Sequence, residues 1–311
     1  MALPDYFHEL ARKVCNWGRW GDDDEIGTIN LITPEVVRRG VACARTGRTF
    51  SLALPLSEAE GVQTGLIPGR LNPTRTMVAI NTSMTGDPSD FCTSDDLVVM
   101  GLQAATHWDG LGHVSYAGRM YNGFPIESID VFGAHKCGIH KIRTLVSRGV
   151  LLDVARAKGV DRLEGGYALT AEDLDAAEEL AKVRVEPGDV VLIRTGQMQF
   201  LRQEQPDKVA YSTPAPGPSL KTVEWFRDRD VAAVATDNLT FEVYPGEDPA
   251  AILPVHLLHI VEMGLTQGQN WQLEDLAADC AEDGVYEFLL EASPEPFTNA
   301  VGSPVNPVAV K

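Results

Sequence analysis

The stretch GLQAATHWDGLGHVSY, residues 101–116, gathers three side chains that are chemically active in proteins. His107, Asp109 and His113 stand among glycines, and Gln103 lies four residues ahead of the first histidine. Imidazole and carboxylate groups bind zinc and manganese, and an imidazole beside a metal can move protons. The same pattern is also typical of partly buried core histidines with local hydrogen bonds, and of an aspartate that caps a turn. The spacing by itself leaves both interpretations open.

Apolar and β-branched residues lead into this stretch, so we expect a strand to run through DLVVMGLQAATHWDG, residues 96–110. Side chains alternate between the two faces of a strand. The four polar positions are all odd-numbered and would share one face, so we expect the two histidines and the aspartate to project into one cavity. Gly110 and Gly112 would bend the end of the strand and let a ligand approach the backbone.

The chain has 311 residues, of which 44% are hydrophobic and 23% are charged, as in a folded globular protein. Its net charge is −18, from 26 basic and 44 acidic residues, which makes nucleic acid an unfavourable partner. No apolar run reaches the about 18 residues that a membrane span needs. The cysteines are odd in number and scattered, so we expect reduced thiols in a cytoplasmic protein rather than disulfides. They are Cys15, Cys43, Cys92, Cys137 and Cys280.

Strand-like and helix-like segments alternate without a repeat or a linker, which predicts a single α/β domain with a mixed sheet over the whole chain. Residues 1–45 would form an N-terminal arm with a short helix capped by Thr33. Further helices are expected to begin at Thr170 and Ser219 and to end at Gly264. Besides the strand already described, the segments expected to form strands are 49–56, 76–84, 149–159, 186–196, 231–238 and 283–294.

The opening stretch resembles the signature of the cyclase family, metal-dependent hydrolases that include bacterial kynurenine formamidase. That signature is His-x-Gly-Thr-His-x-Asp-x-Pro-x-His, and here it reads Gln103-x-x-Thr106-His107-x-Asp109-x-x-x-His113. The likeness extends over most of the chain, to EPGDVVLIRTG, to the segment around VAAVATDN and to the histidine-containing helix PVHLLHIVEMG. RWGDDDEIGTINLITPE in front and GSPVNP behind make the chain most similar to the branch that contains trans-dienelactone hydrolase.

The resemblance implies a swivelling β/β/α fold, in which a mixed sheet partly closes into a barrel flanked by helices, and assembly as a homodimer or homotetramer. It also implies a metal site with His107, Asp109 and His256 as strong ligands. Gln103 replaces the first signature histidine of the formamidases, and Gln269 replaces their glutamate after the second helix. These two side chains could coordinate only through neutral carbonyl oxygens, so we expect one zinc or manganese ion rather than two.

In this interpretation His113 is the general acid and base, and His259 either packs in the core or supports the metal ligands from behind. We expect Trp108, Tyr121 and Phe124 to line a pocket for an aromatic or cyclic substrate, although aromatic residues are more often part of a core. The implied reaction is hydrolysis of a small cyclic or aromatic amide, imide or lactone by metal-activated water. Two alternatives stay open: a non-hydrolytic cyclase or dehydratase of a polyketide-like substrate, and a binding protein with a degenerate, metal-free pocket.

Overall fold

A mixed sheet of nine strands forms the centre of the molecule and curls into a half-barrel, which confirms the predicted fold. The computed structural model describes residues 3–311. Its strands are β1 (Thr49–Ser51), β2 (Thr74–Ser83), β3 (Cys92–Val99), β4 (His107–Asp109), β5 (Ile129–Asp130), β6 (Gly133–Ala134), β7 (Val146–Asp153), β8 (Ala168–Leu169), β9 (Val190–Arg194), β10 (Gly217–Pro218), β11 (Ala233–Thr236), β12 (Thr266–Gln269), β13 (Glu287–Glu291), β14 (Gly302–Pro304) and β15 (Val308–Val310). The large sheet has the strand order β1-β15-β13-β7-β9-β11-β12-β4-β14.

Helices flank this sheet. They are α1 (Asp5–Val14), α2 (Pro34–Cys43), α3 (Val154–Ala157), α4 (Ala171–Ala181), α5 (Lys208–Ser212), α6 (Val223–Asp228), α7 (Pro254–His256) and α8 (Glu274–Asp283). Turns of 3₁₀-helix lie at Gly27–Leu31, Tyr121–Gly123, Ile126–Ser128, Ile139–Lys141, Gln197–Phe200 and Leu220–Thr222. A π-helical segment, Leu257–Met263, continues α7 directly.

The four central strands β7, β9, β11 and β12 are parallel, and antiparallel strands extend the sheet on both sides. β9 and the middle of β7 are covered on both faces, so residues 150–152 and 190–193 are all apolar and fully buried. Leu151 and Leu192 pack in one hydrophobic cluster, while their neighbours Leu152 and Ile193 pack in another. Each such side chain stabilises the fold by about 1.5–3 kcal/mol relative to an exposed position.

Three predicted helix ends are confirmed. α2 begins after Thr33, whose hydroxyl accepts a hydrogen bond from the amide of Val36 at 3.4 Å. α4 begins after Thr170, which forms a capping box with Asp173. The π-helical segment ends at Gly264, where φ is 66° and a residue without Cβ is favoured.

The predicted strand through residues 96–110 is wrong. β3 ends at Val99 and forms a two-stranded hairpin with β2, whereas β4 begins at His107 inside the large sheet. Between them the amide of Gly101 donates to the carbonyl of Leu71 at 3.0 Å, away from any ladder. The residues of an exposed hairpin and those of the following buried loop are similarly apolar, so composition does not show where the chain changes sheets.

The N-terminal residues pack against the domain rather than extending from it. α1, which the sequence did not indicate, buries Phe7 and Val14 in the main hydrophobic cluster. The segment expected to form a strand over residues 49–56 does so only over its first three residues, as β1. Residues 3–45 are therefore part of the single folded body.

Two further features of the fold concern the cysteines and the helices. All five cysteines are free, as predicted. Within residues 3–311, every helix is too short or too polar to cross a membrane.

Candidate active site

β4 lies between β12 and β14 and brings the signature residues into the sheet. His107 pairs with Gln269 of β12 in the ladder, and Asp109 pairs with Gln267. His107 and Asp109 are fully buried and share one face of the strand, as their odd spacing predicts. β4 is therefore a polar strand in a position where most proteins place apolar side chains.

Five polar side chains converge at this point, and we call them the Asp109 cluster: His107, Asp109, His113, His256 and Gln269. The Asp109 Oδ1 atom lies 3.4 Å from His107 Nε2 and 3.6 Å from His113 Nε2. Its Oδ2 atom lies 4.0 Å from His256 Nε2 and accepts a hydrogen bond from Gln269 Nε2 at 2.6 Å. The structure thus gathers three other predicted metal-site residues and the predicted general base around the carboxylate of Asp109.

His113 reaches the cluster by a different route from the one predicted. The chain leaves β4 after Asp109 and turns, with the amide of His113 donating to the carbonyl of Gly110 at 2.9 Å. The side chain of His113 is 20% exposed, compared with 7% for His256 and none for Asp109. His113 is therefore the histidine of the cluster that is most accessible from solvent.

His256 is held by Glu242, a residue that the sequence did not indicate. Its Nδ1 donates to Glu242 Oε1 at 2.6 Å, and the amides of Val255 and His256 donate to the same carboxylate at 3.0 and 2.9 Å. The carboxylate thus binds the first turn of α7 and fixes the imidazole tautomer, leaving the Nε2 lone pair directed toward Asp109. Glu242 and His256 are 14 positions apart on different elements, so no local motif links them.

His107 is oriented in the same way. Its Nδ1 donates to the carbonyl of Ala105 at 2.7 Å, which leaves the lone pair on Nε2. That Nε2 atom and the Oδ1 atom of Asp109 are both buried without a hydrogen-bond partner. Buried polar atoms normally have partners, so two adjacent acceptors without one indicate a place where a cation or a donor binds.

The charges in the cluster are strongly coupled. Burial by itself raises the pKa of Asp109, but His113, His107 and His256 outweigh it and hold that pKa well below its usual value. Burial lowers the pKa of His113, and the positive charge of Arg70 lowers it further, against the opposing effect of Asp109. The cluster therefore contains an ionised carboxylate and a neutral His113 at neutral pH.

Gln269 makes the contact that a glutamate could not make. Its side-chain nitrogen donates to Asp109 Oδ2 and also lies 3.3 Å from His256 Nε2, where the lone pair can accept. A glutamate in this position would set a second negative charge against Asp109. The amide instead links the carboxylate to the imidazole without a cation.

Gln103 lies at the edge of the site. A Cβ atom on Gly302 of β14 would be 2.5 Å from Gln103 Nε2, so the glutamine side chain packs against that strand. Among the contacts of residues 3–311, Gln103 has no side-chain hydrogen bond to the Asp109 cluster, and its carbonyl accepts from Arg70 at 3.4 Å. Its role as a metal ligand stays a prediction.

The three aromatic residues predicted to line a substrate pocket pack elsewhere. Trp108 lies on the opposite face of β4, fully buried against Trp271 with ring centroids 4.8 Å apart. Tyr121 is fully buried in a second cluster that also contains Leu111, and Phe124 packs against that cluster. Strand alternation directs Trp108 into the core, and Tyr121 and Phe124 pack with Leu111. The role of these three residues in binding a substrate stays a prediction.

His259 packs in the core, which is one of the two roles expected for it. The ring is fully buried between Phe226 and Phe241, with centroids 5.1 and 5.5 Å away. Burial lowers the pKa of His259 to about 3, so it is neutral at physiological pH.

The donor atoms of the cluster suit a single divalent metal ion. Within residues 3–311, His, Cys, Asp and Glu side chains form no ready-made group of three that could hold a metal. The chemistry is nevertheless appropriate, because two imidazole lone pairs and a carboxylate meet around the unpartnered atoms of His107 and Asp109. The Gln269 amide nitrogen lies among these acceptors, and its amide would have to turn to offer its oxygen instead.

Comparisons with known structures agree with the fold. A crystal structure described as a novel cyclase is 39% identical, covers 100% of both chains and has a TM-score of 0.88. Isatin hydrolase A from Labrenzia aggregata, bound to benzyl benzoate, is 19% identical, with a TM-score of 0.62 over 88% of this chain and 97% of its own. An isatin hydrolase bound to the product analogue thioisatinate is 16% identical, with a TM-score of 0.62 over 89% and 98%. The last two likenesses concern the fold alone.

The family assignment rests on the sequence itself. The family model described as "Putative cyclase" matches residues 34–243, about two thirds of the chain. The comparison with curated proteins finds no match. The narrower likeness to trans-dienelactone hydrolase has no support among these findings. With the family model and a full-length relative at 39% identity, the chain belongs to the cyclase family.

Proposed function

We propose that this chain is a metal-dependent hydrolase that opens a small cyclic or aromatic amide, imide or lactone. The observation that carries the proposal is the convergence of two ligand-ready imidazoles and a third, accessible histidine on the buried Asp109 carboxylate. The isatin hydrolases that share the fold act on a cyclic amide, which makes this reaction class the first to test.

His107, Asp109 and His256 would hold one zinc or manganese ion, with the Gln269 carbonyl oxygen as a weaker ligand. Such an ion lowers the pKa of a bound water to about 7 and polarises the carbonyl of the substrate. Ala105 and Glu242 keep the two imidazole lone pairs directed toward it. Outer partners of this kind typically contribute about 10–100-fold to metal affinity or activity.

His113 would move the proton. Its lowered pKa keeps the imidazole neutral, so it can accept a proton from the attacking water and return it to the departing nitrogen or oxygen. Asp109, 3.6 Å away, stabilises the imidazolium that forms in between. General acid–base catalysis of this type contributes about 10²–10⁴ in rate.

The test compares turnover with metal content. Protein treated with a chelator and then supplied with zinc or manganese is assayed with isatin, dihydrocoumarin and an aryl amide. We expect hydrolysis of at least one ring only in the metal-loaded protein, in proportion to the metal bound. Equal turnover with and without metal would exclude a metal-dependent mechanism.

A metal-free binding pocket is the second candidate, and the amide of Gln269 is the observation that favours it. That amide satisfies Asp109 and His256 without any ion. Gln269→Glu distinguishes the two functions, because a carboxylate here restores a charged ligand and repels Asp109 when no metal is bound. For a metalloenzyme we expect tighter metal binding and a melting temperature that depends more steeply on metal. A variant that neither binds metal nor gains stability from it would favour the metal-free pocket.

A further inference from the structure

Arg70 lies beside the Asp109 cluster in a loop that is closely tied to the residues ahead of β4. In this loop Gln63 and Asn72 exchange two hydrogen bonds of 2.9 Å, and the side chain of Gln63 also donates to the carbonyl of Ala104 at 2.9 Å. The carbonyl of Leu71 accepts from Gly101. These bonds fix the backbone on both sides of Arg70, so its side chain leaves from a defined position.

Arg70 is half-buried and has no carboxylate partner, unlike Arg148 and Arg194, the buried arginines of residues 3–311. Arg148 pairs with Asp189 and Glu287, and Arg194 pairs with Asp153 and Glu274. None of the ion pairs formed among residues 3–311 includes Arg70, whose guanidinium makes one hydrogen bond of 3.4 Å, to the carbonyl of Gln103. A partly buried guanidinium offers five donors, so most of them are left for a ligand.

The contacts of Arg70 place it at the edge of the Asp109 cluster. Its guanidinium donates to the carbonyl of Gln103, whose side chain packs against Gly302, the residue that pairs with Asp109 in the sheet. The positive charge of Arg70 also lowers the pKa of His113. Burial lowers the pKa of Arg70, but a guanidinium stays charged in proteins. A half-buried positive charge therefore lies at the edge of the Asp109 cluster.

We propose that Arg70 binds a carboxylate group of the ligand. This inference rests on the proposed function, because hydrolysis of a lactone or imide adds one water, breaks the ring C–O or C–N bond and leaves a carboxylate. The anion comes either from that reaction or from a carboxyl group that the substrate already carries. A guanidinium matches both oxygens of a carboxylate through two parallel hydrogen bonds.

The test measures equilibrium binding to chelator-treated protein, so it requires no turnover. The probes are dihydrocoumarin, a neutral ring; coumarin-3-carboxylate, a ring that carries a carboxylate; and 3-(2-hydroxyphenyl)propionate, which is dihydrocoumarin opened by one water. Each is titrated against the parent, Arg70→Gln, Arg70→Lys and the control Arg75→Gln. Arg75 is an exposed arginine of the hairpin, paired with Asp96 at 3.4 Å.

We expect Arg70→Gln to weaken at least one anion about 10–100-fold, the range for hydrogen bonds between charged groups, and to leave the neutral ring unchanged. Arg70→Lys should retain part of that binding, and Arg75→Gln all of it. If Arg70→Gln weakens binding of the opened acid alone, Arg70 binds the carboxylate of the product. If it weakens binding of coumarin-3-carboxylate alone, Arg70 binds a carboxylate that the substrate already carries.

Anions that bind no better than the neutral ring, or equally well to Arg70→Gln, would overturn the role of Arg70. Because these measurements involve neither metal nor catalysis, they can succeed when the hydrolase proposal fails. They can also fail when metal-dependent turnover is found.

Discussion

β4 and the β2–β3 hairpin depart from the usual distribution of side chains in opposite directions. In β4, His107 and Asp109 are fully buried. In the hairpin, Val78, Ile80 and Leu97 are 63%, 69% and 51% exposed. Buried polar groups require partners, and exposed apolar surfaces are normally small. β4 thus has buried polar atoms without a hydrogen-bond partner, and the hairpin has apolar side chains that are not covered. We propose that a ligand binds among the buried polar side chains of β4 and that a protein partner covers the apolar side chains of the hairpin.

The total surface area agrees with this interpretation of the hairpin. The chain exposes 13852 Å², about 1,000 Å² more than the roughly 12,800 Å² expected for a compact monomer of its mass. A second copy of the chain is the partner that we propose for this surface.

The largest effect is expected from His107→Ala, which removes a proposed metal ligand from β4. Removing one of three strong ligands should abolish metal binding and reduce kcat/KM to background. Metal content per chain and turnover are measured together. His135→Ala is the matched control, because this histidine is 49% exposed and pairs with Asp130 outside the site. Retention of a full complement of metal by His107→Ala would remove His107 from the ligand set.

His113→Ala separates proton transfer from metal binding. We expect kcat to fall about 10²–10⁴-fold while the metal content stays that of the parent, because in the proposed mechanism His113 moves a proton and does not hold the ion. Turnover and metal content are measured on the same preparation of the variant. A variant that loses its metal would instead identify His113 as a ligand.

Ile80→Lys combined with Leu97→Lys tests the apolar side of the comparison. If the hairpin packs against a second copy, two buried charges should weaken association by on the order of 4 kcal/mol, about a thousandfold in dissociation constant. Sedimentation velocity over a range of concentrations measures the shift from dimer to monomer. Val160→Lys is the control, since Val160 is 44% exposed outside the hairpin. A parent that is monomeric at every concentration would contradict the proposed partner.

Asp237→Asn tests a second buried carboxylate, which lies outside the Asp109 cluster. Asp237 accepts hydrogen bonds from Thr195 and Gly196, yet burial raises its pKa from 3.8 to about 6. The folded state therefore binds this proton more tightly than the unfolded state, and the parent loses stability as pH rises from about 4 to 6.

Asparagine cannot ionise, so the free energy of unfolding of Asp237→Asn should gain at most about 3 kcal/mol relative to the parent over that interval. This gain is added to a constant offset from the altered hydrogen bonds. Urea unfolding at several pH values measures it, with the exposed Asp95→Asn as control. A difference between parent and variant that does not change with pH would show that Asp237 keeps its ordinary ionisation.

The sequence predicts the fold and most of the cluster because both are encoded locally or in the family signature. Odd spacing correctly placed His107 and Asp109 on one face of β4. The same rule places Trp108 on the other face, so its burial in the core was predictable. The positions of Glu242 and Arg70 were not predictable, because tertiary packing alone brings the loop of Glu242 to α7 and the loop of Arg70 to Gln103.

The metal content of the parent protein shows whether the Asp109 cluster holds a metal ion. The chain is purified without chelator, supplied with zinc or manganese, freed of excess metal, and analysed for metal per chain by elemental mass spectrometry. We predict one ion per chain, held by the Asp109 cluster and absent from His107→Ala. A folded parent that retains no metal after this treatment would contradict the account, and the link from Gln269 to Asp109 and His256 would then define a metal-free site.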